Sequence, residues 1–156
     1  MDEREVLGTK LAQPRLDDRA LPGSEERNMA QFAPPRRRAL IVEDEFMIAL
    51  DLQDAMSALD FDVCGLAPTD RKARSLAMRE EPDIALVDVC LEGGREGIET
   101  ARWLREVCGT SIVFVTAFND ENTLEFIHNR VPGAPVLSKL TYRERLAAAV
   151  ADVSKH

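Results

Sequence analysis

No apolar run in this chain of 156 residues approaches the roughly 18 that a membrane-crossing helix requires. The opening Met1-Asp2-Glu3-Arg4-Glu5 also lacks the basic-then-apolar order of a secretory signal, so the expected compartment is the cytoplasm, with no membrane partner. Cysteine is scarce. Cys64, Cys90 and Cys108 are an odd number without metal-ligand spacing, and they read as reduced, mostly buried thiols. An excess of basic charge is missing too: the formal net charge is −8, whereas a surface that binds nucleic acid through its phosphates needs the opposite sign. Residues 1–38 carry seven acids and eight bases, which leaves −9 on residues 39–156, so the acidic part is the part expected to fold. His128 stands alone on a helical stretch, with no second residue to make it a metal or catalytic site.

What is present is an ordinary globular composition, 45% hydrophobic and 31% charged, in a length suited to one domain. Residues 1–37 contain scattered leucines, several Pro and Gly and no periodic apolar face. They are expected to form a disordered or weakly helical extension, with a short helix near residues 3–12, and Met29 offers an alternative start. The domain is expected over residues 38–156. Strand-like segments recur near 39–42, 63–66, 84–87, 112–115 and 134–137, each followed by a helical stretch. Such alternation predicts a parallel sheet with helical crossovers. The first helix carries Ile48, Leu52, Ala55, Met56 and Leu59 on one face, and the second Ala73, Leu76 and Ala77. The third carries Ile98, Ala101 and Leu104, a short fourth Leu124 and Ile127, and the last Tyr142, Leu146, Ala149, Val150 and Val153. The second strand mixes polar and apolar positions as a sheet edge does, while strands one, three and four are continuous apolar runs. The pattern fits an α/β, flavodoxin-like doubly wound fold: five parallel strands in the order 2-1-3-4-5, with five helices.

In that order the acids Glu43 and Asp44, after strand one, and Asp88, after strand three, share the crevice at the carboxyl ends of the strands. Crowded carboxylates repel unless they share a cation, which points to a hard divalent metal beside something phosphorylated. Thr116 closes strand four and Lys139 closes strand five at the same end of the sheet. A metal site, a hydroxyl and an ammonium around one central carboxylate are the parts needed for phosphoryl transfer to Asp88. Glu45 reads as a first-turn helix acid favoured by the helix dipole.

Five fragments in this order, Leu40-Ile41-Val42-Glu43-Asp44-Glu45, Leu86-Val87-Asp88-Val89, Gly97-Ile98-Glu99, Val115-Thr116-Ala117 and Lys139, resemble the receiver domain of two-component response regulators over residues 38–154. The resemblance implies that Asp88 is the phosphoacceptor and that Glu43, Asp44, Asp88 and the backbone carbonyl of Cys90 hold Mg2+. It further implies a phosphohistidine donor on a sensor histidine kinase or phosphotransfer protein, and a downstream target protein at the fourth helix, fifth strand and fifth helix. The expected product is a signalling domain rather than an enzyme, with only slow self-dephosphorylation.

The chain departs from the family pattern at several points. Leu140 follows Lys139 where most receivers have a proline with a cis peptide bond, and Val136 stands where many have a switch Tyr or Phe. The loop Cys90-Leu91-Glu92-Gly93-Gly94-Arg95-Glu96-Gly97 has one residue more than the family pattern and has Glu92 where proline is common. Phe118 suits two readings, packing under the fourth helix or gating the pocket, and the gate would match a subset of single-domain receivers that lack the aromatic switch. Arg36-Arg37-Arg38 reads as a solvated charge run, with a tether to an acidic partner as the alternative. With the last helix ending near Ser154, the chain is expected to stand alone, with output by protein–protein interaction. Its alternatives are a phosphate sink or relay for a kinase, and a degenerate receiver acting by phosphorylation-independent binding. A metal-dependent phosphatase on a similar fold is disfavoured, because haloacid-dehalogenase-type enzymes place a second aspartate where this chain has Cys90.

Overall fold

The computed structural model describes residues 34–154. The expected short helix near residues 3–12, the possible start at Met29 and most of the N-terminal extension lie outside the described residues. From Pro34 to Arg37 the chain is exposed and without regular structure, and strand β1, Arg38–Val42, follows. Then come helix α1 (Phe46–Ala58), β2 (Asp62–Ala67), α2 (Asp70–Glu80), β3 (Ile84–Val87) and α3 (Glu96–Cys108). The chain ends with β4 (Ser111–Thr116), α4 (Glu121–Arg130), β5 (Val136–Ser138) and α5 (Tyr142–Ser154). All pairings are parallel and the sheet order is β2-β1-β3-β4-β5, as the sequence pattern predicts.

The central strands are apolar at every position because both faces of the sheet are covered. Leu40, Val42, Ala85, Val87, Ile112 and Phe114 face α2, α3 and α4, while Ala39, Ile41, Ile84, Leu86, Val113 and Val115 face α1 and α5. Each fully buried Leu, Ile, Val or Phe stabilises the fold by about 1.5–3 kcal/mol relative to exposure. Edge strand β2 is half-buried and bulged: Ala39 pairs with Val63 and Leu40 with Gly65, leaving Cys64 as the extra residue, its thiol 3.3 Å from the Ala39 carbonyl.

Turn chemistry sets the helix ends. Thr69 caps α2 by accepting from the Lys72 N–H, Asp120 caps α4 by accepting from the Thr123 N–H, and Gly109 closes α3 in the left-handed region at φ 69°. Three expectations are corrected. Strand β5 begins at Val136 rather than 134: Pro135 has no N–H for the ladder and only its carbonyl takes part, accepting from Phe114 at 2.9 Å. In α4 the inward pair is Thr123 and Ile127, and Leu124 stays 37% exposed. The Asp120 cap, which also accepts from the Thr123 hydroxyl, fixes that rotation. Nor are Arg37 and Arg38 a free charge run. Arg38 donates its backbone N–H to Asp83 and its guanidinium to the Glu80 carbonyl, and Arg37 stacks on Phe61 and bonds the Ser154 hydroxyl.

Helix α3 starts hard against the end of β3. The Gly97 N–H donates to the Val89 carbonyl at 3.0 Å, and a Cβ at Gly97 would lie 1.8 Å from the Asp88 carbonyl oxygen. Only glycine permits that approach. Gly97→Ala is expected to cost about 3 kcal/mol or more through this backbone clash. Chemical denaturation of both proteins measures it, and a loss under about 1 kcal/mol would contradict the packing described.

Candidate functional site

The strand register assembles the site. Val42 pairs with Val87 and Val87 with Phe114, so the residues that follow these strands emerge side by side. The ladder continues one residue further: Glu43 N–H donates to Ala67 O at 3.0 Å, Asp88 N–H to Val42 O at 2.9 Å and Lys139 N–H to Thr116 O at 3.1 Å. Backbone hydrogen bonds thus fix the starting points of Glu43, Asp88 and Lys139, and their side chains extend from a rigid edge.

Lys139 is the centre of charge compensation. Its ammonium lies 2.7 Å from Asp88 Oδ2, 3.0 Å from Glu43 Oε2 and 3.0 Å from Glu45 Oε1. Glu43 and Asp88 are buried. Carboxylate oxygens of Glu43, Asp44, Glu45 and Asp88 lie within 4.8 Å of one another, and three of these four acids pair with the one ammonium. The ammonium is buried, which disfavours its charge, but hydrogen bonds to Asp88, Glu45 and Glu43 outweigh this and hold its pKa above the ordinary lysine value. Glu43 shows the strain of crowding. Burial pushes its pKa up to about 7, the Asp88 charge pushes in the same direction, and the Glu45 N–H at 3.0 Å and Lys139 only partly oppose them.

Glu43 Oε2 is the telling atom. It is buried and has no hydrogen-bond partner among the described residues. Although the Lys139 ammonium is 3.0 Å away, the ammonium's hydrogen bond to this carboxylate runs to Oε1, at 3.3 Å. The one cation beside this buried oxygen is that ammonium, which it shares with Asp88 and Glu45, so its charge is only partly compensated. The donor set, all hard oxygens, suits Mg2+ rather than a soft or borderline metal. Glu43, Asp44 and Asp88 therefore fit such an ion.

The other expected site residues fall around this cluster. The Cys90 N–H donates to Asp88 Oδ1 at 3.2 Å, so the backbone just after Asp88 turns in toward its carboxylate. Burial, reinforced by the Asp88 charge, pushes the Cys90 thiol up, which keeps it protonated and unreactive. Thr116 is fully buried at the end of β4, and its hydroxyl accepts from the Phe118 N–H at 3.1 Å. Phe118 itself is 52% exposed. It lines a cavity of about 180 Å³ with Val89, Cys90, Gly93, Gly94 and Arg95, so it is not packed beneath α4. The loop after Asp88 is held by paired backbone bonds between Leu91 and Gly94, with Glu92 and Gly93 both at positive φ and the Glu92 N–H donating to Asp44 at 3.3 Å. The peptide joining Lys139 to Leu140 is trans, as are all peptides among the described residues.

Two residues lay beyond the sequence reading. Glu45 is the N-cap of α1 rather than a first-turn acid, makes no capping bond with its side chain and turns to Lys139 instead. Its position two residues after Glu43 was the available signal. Gly97, legible only as part of a fragment, proves to be what lets α3 abut Asp88.

The family model for the response regulator receiver domain matches residues 39–151. The chain belongs to that family. It is similar to the transcriptional regulatory protein PdtaR of Mycobacterium tuberculosis, 33% identical over 96 residues, which are 62% of this chain and 46% of that protein. It is also similar to the phyllosphere-induced regulator PhyR of Methylorubrum extorquens, 32% identical over 80 residues, 51% of this chain and 30% of that protein. The chain thus spans less than half the length of these curated relatives. Among solved structures, the signal receiver domain of a modulated diguanylate cyclase from Desulfovibrio desulfuricans superposes with a TM-score of 0.68 at 31% identity, covering 76% of this chain and 94% of that one. The receiver domain of PhyR from Erythrobacter litoralis gives 0.61 at 24% identity over 74% of this chain and 91% of that one, a likeness of fold. Receiver domains as a family bind Mg2+ at an acidic pocket and work with kinases or phosphotransfer proteins, and this chain has the acidic cluster. No helix among the described residues is long and apolar enough to cross a membrane.

The raised Glu43 pKa has a consequence for stability. In the unfolded chain this carboxyl ionises near its ordinary value of 4.5, and in the fold near 7, so the folded state binds more protons between those limits. Stability of chelator-treated protein should therefore fall as pH rises from about 5 to about 7.5. Glu43→Gln removes this share of the fall. Thermal melts across that range are expected to decline more in wild type than in the variant, and parallel declines would contradict the origin assigned to the shift.

Proposed function

We propose that Asp88 accepts a phosphoryl group from a phosphohistidine on a sensor histidine kinase or phosphotransfer protein, and that the chain signals through protein–protein interaction. The observation that carries this reading is the buried Asp88 carboxylate at 2.7 Å from the Lys139 ammonium, inside a cluster of four acids, in a chain of the receiver family. An Asp88 carboxylate oxygen attacks phosphorus. The new P–O bond forms as the donor's P–N bond breaks, and the departing imidazole nitrogen takes a proton from water. Glu43, Asp44, Asp88 and the Cys90 carbonyl would hold Mg2+, which when bound neutralises the negative oxygens of the group in transfer.

This chain's residues do the rest. Lys139 moves its hydrogen bond from Asp88 to a phosphoryl oxygen, and Thr116 donates its hydroxyl proton to another. Thr116 is the start of the output route, because its hydroxyl now accepts from the Phe118 N–H and any turn toward Asp88 disturbs the segment leading into α4. Val136 is not an aromatic switch, so the change passes through Phe118 to α4, β5 and α5, where the target protein binds. The chain acts as a cytoplasmic signalling domain rather than an enzyme, and its acidic balance leaves nucleic acid outside its direct partners.

Amide NMR of wild type and Asp88→Asn, with Mg2+ and beryllofluoride added, tests the proposal. Shifts spreading from Asp88 through Thr116 and Phe118 to α4 are expected in wild type alone. No change in wild type at saturating reagent would overturn the phosphoacceptor reading and favour phosphorylation-independent binding. Shifts confined to the pocket would leave a phosphate sink or relay.

A further inference from the structure

Lys139 is the first residue beyond a strand of three residues, and the residue that follows, Leu140, is 93% exposed and tied only through its N–H to the Ser138 hydroxyl. Its backbone is tied by one bond to Thr116 O, but lysine reaches the pocket on a flexible four-carbon stem. Carboxylates fix where that stem ends: Asp88 Oδ2 at 2.7 Å, Glu43 Oε2 at 3.0 Å and Glu45 Oε1 at 3.0 Å. The three partners differ in what else they must do. Under the phosphoacceptor reading Asp88 gives up an oxygen to the acyl bond, and Glu43 is one of the acids that would hold the metal. Glu45 has neither duty. Its side chain is 62% exposed at the N-cap of α1, caps no helix N–H and is spent on Lys139.

Resting on the reading of Asp88 as phosphoacceptor, we propose that Glu45 is a positioning residue for Lys139. Its carboxylate holds the ammonium at the mouth of the pocket while Asp88 and Glu43 exchange their bonds to it for bonds to the phosphoryl group and the metal. Because Glu45 is exposed, solvent and salt screen the pair and the effect is several-fold rather than thousand-fold. With the Glu43–Lys139 pair, the link ties the segment after β1 to the one after β5 across the mouth of the site.

Glu45→Gln tests this, and since Glu45 makes no capping bond, the variant should fold as wild type does. In protein without donor or metal, the 15N signal of the Lys139 ammonium is expected to shift and to exchange faster with water. With Mg2+ and beryllofluoride, affinity for beryllofluoride is expected to fall about three- to tenfold at low salt, converging on wild type at high salt, while Mg2+ affinity stays within about twofold. An unchanged ammonium signal would overturn the proposal whatever the donor measurements give. A parallel fall in Mg2+ affinity would also overturn it, making Glu45 a metal ligand. If wild type binds no beryllofluoride while the ammonium signal still responds to Glu45→Gln, the phosphoacceptor reading fails and the Glu45 anchor stands as a property of the resting protein.

Discussion

Three carboxylates gathered around a single ammonium, with a fourth beside them on Asp44, set the terms for the rest of this molecule. Opposite charges attract Lys139 to Asp88, Glu43 and Glu45, yet one positive charge cannot neutralise four acids. The pocket therefore carries an unbalanced negative charge that destabilises the fold locally. Burial first, and the neighbouring Asp88 charge with it, push the pKa of Glu43 up to about 7. A site built this way is held in readiness by the scaffold rather than by its own contacts.

The scaffold holds it by two means. Parallel pairing carries Glu43, Asp88 and Lys139 to one edge, with backbone bonds running a residue past the strands, so none of the three can slide without breaking the sheet. Close packing does the remainder. Gly97 brings the start of α3 onto the Asp88 carbonyl, and the buried Thr116 carries the Lys139 backbone on its own carbonyl. The same strands that bury the core on both faces thus aim the polar residues that follow them, which is how apolar sequence decides polar geometry here.

Much of this was legible in the residues. Continuous apolar runs in strands one, three and four could only be covered on both faces, and the acids after strands one and three marked the crevice. Helix periodicity named most of the buried positions of α1, α2, α3 and α5, although it passed over Ala49, and Ile48, Leu59 and Val153 are only half-buried. The misses have local causes. Pro135 removed an N–H and delayed β5, and the Asp120 cap rotated α4 so that Thr123 replaced Leu124 inside. Arg38 looked like part of a charge run because its partners, Glu80 and Asp83, are distant in sequence. Glu45 was misplaced for the same reason: local rules describe a helix start, whereas its partner is Lys139, far along the chain.

Glu43, Asp88 and Lys139 form one electrostatic unit, and the central claim is that phosphoryl transfer redistributes it. A crystal structure with Mg2+ and beryllofluoride bound is the most direct measurement. The account predicts beryllofluoride joined to an Asp88 oxygen, Mg2+ on Glu43, Asp44, Asp88 and the Cys90 carbonyl, and Lys139 and Thr116 turned to the fluorides. Metal bound away from Glu43 and Asp44, or Lys139 still paired with Asp88 beside bound beryllofluoride, would contradict it.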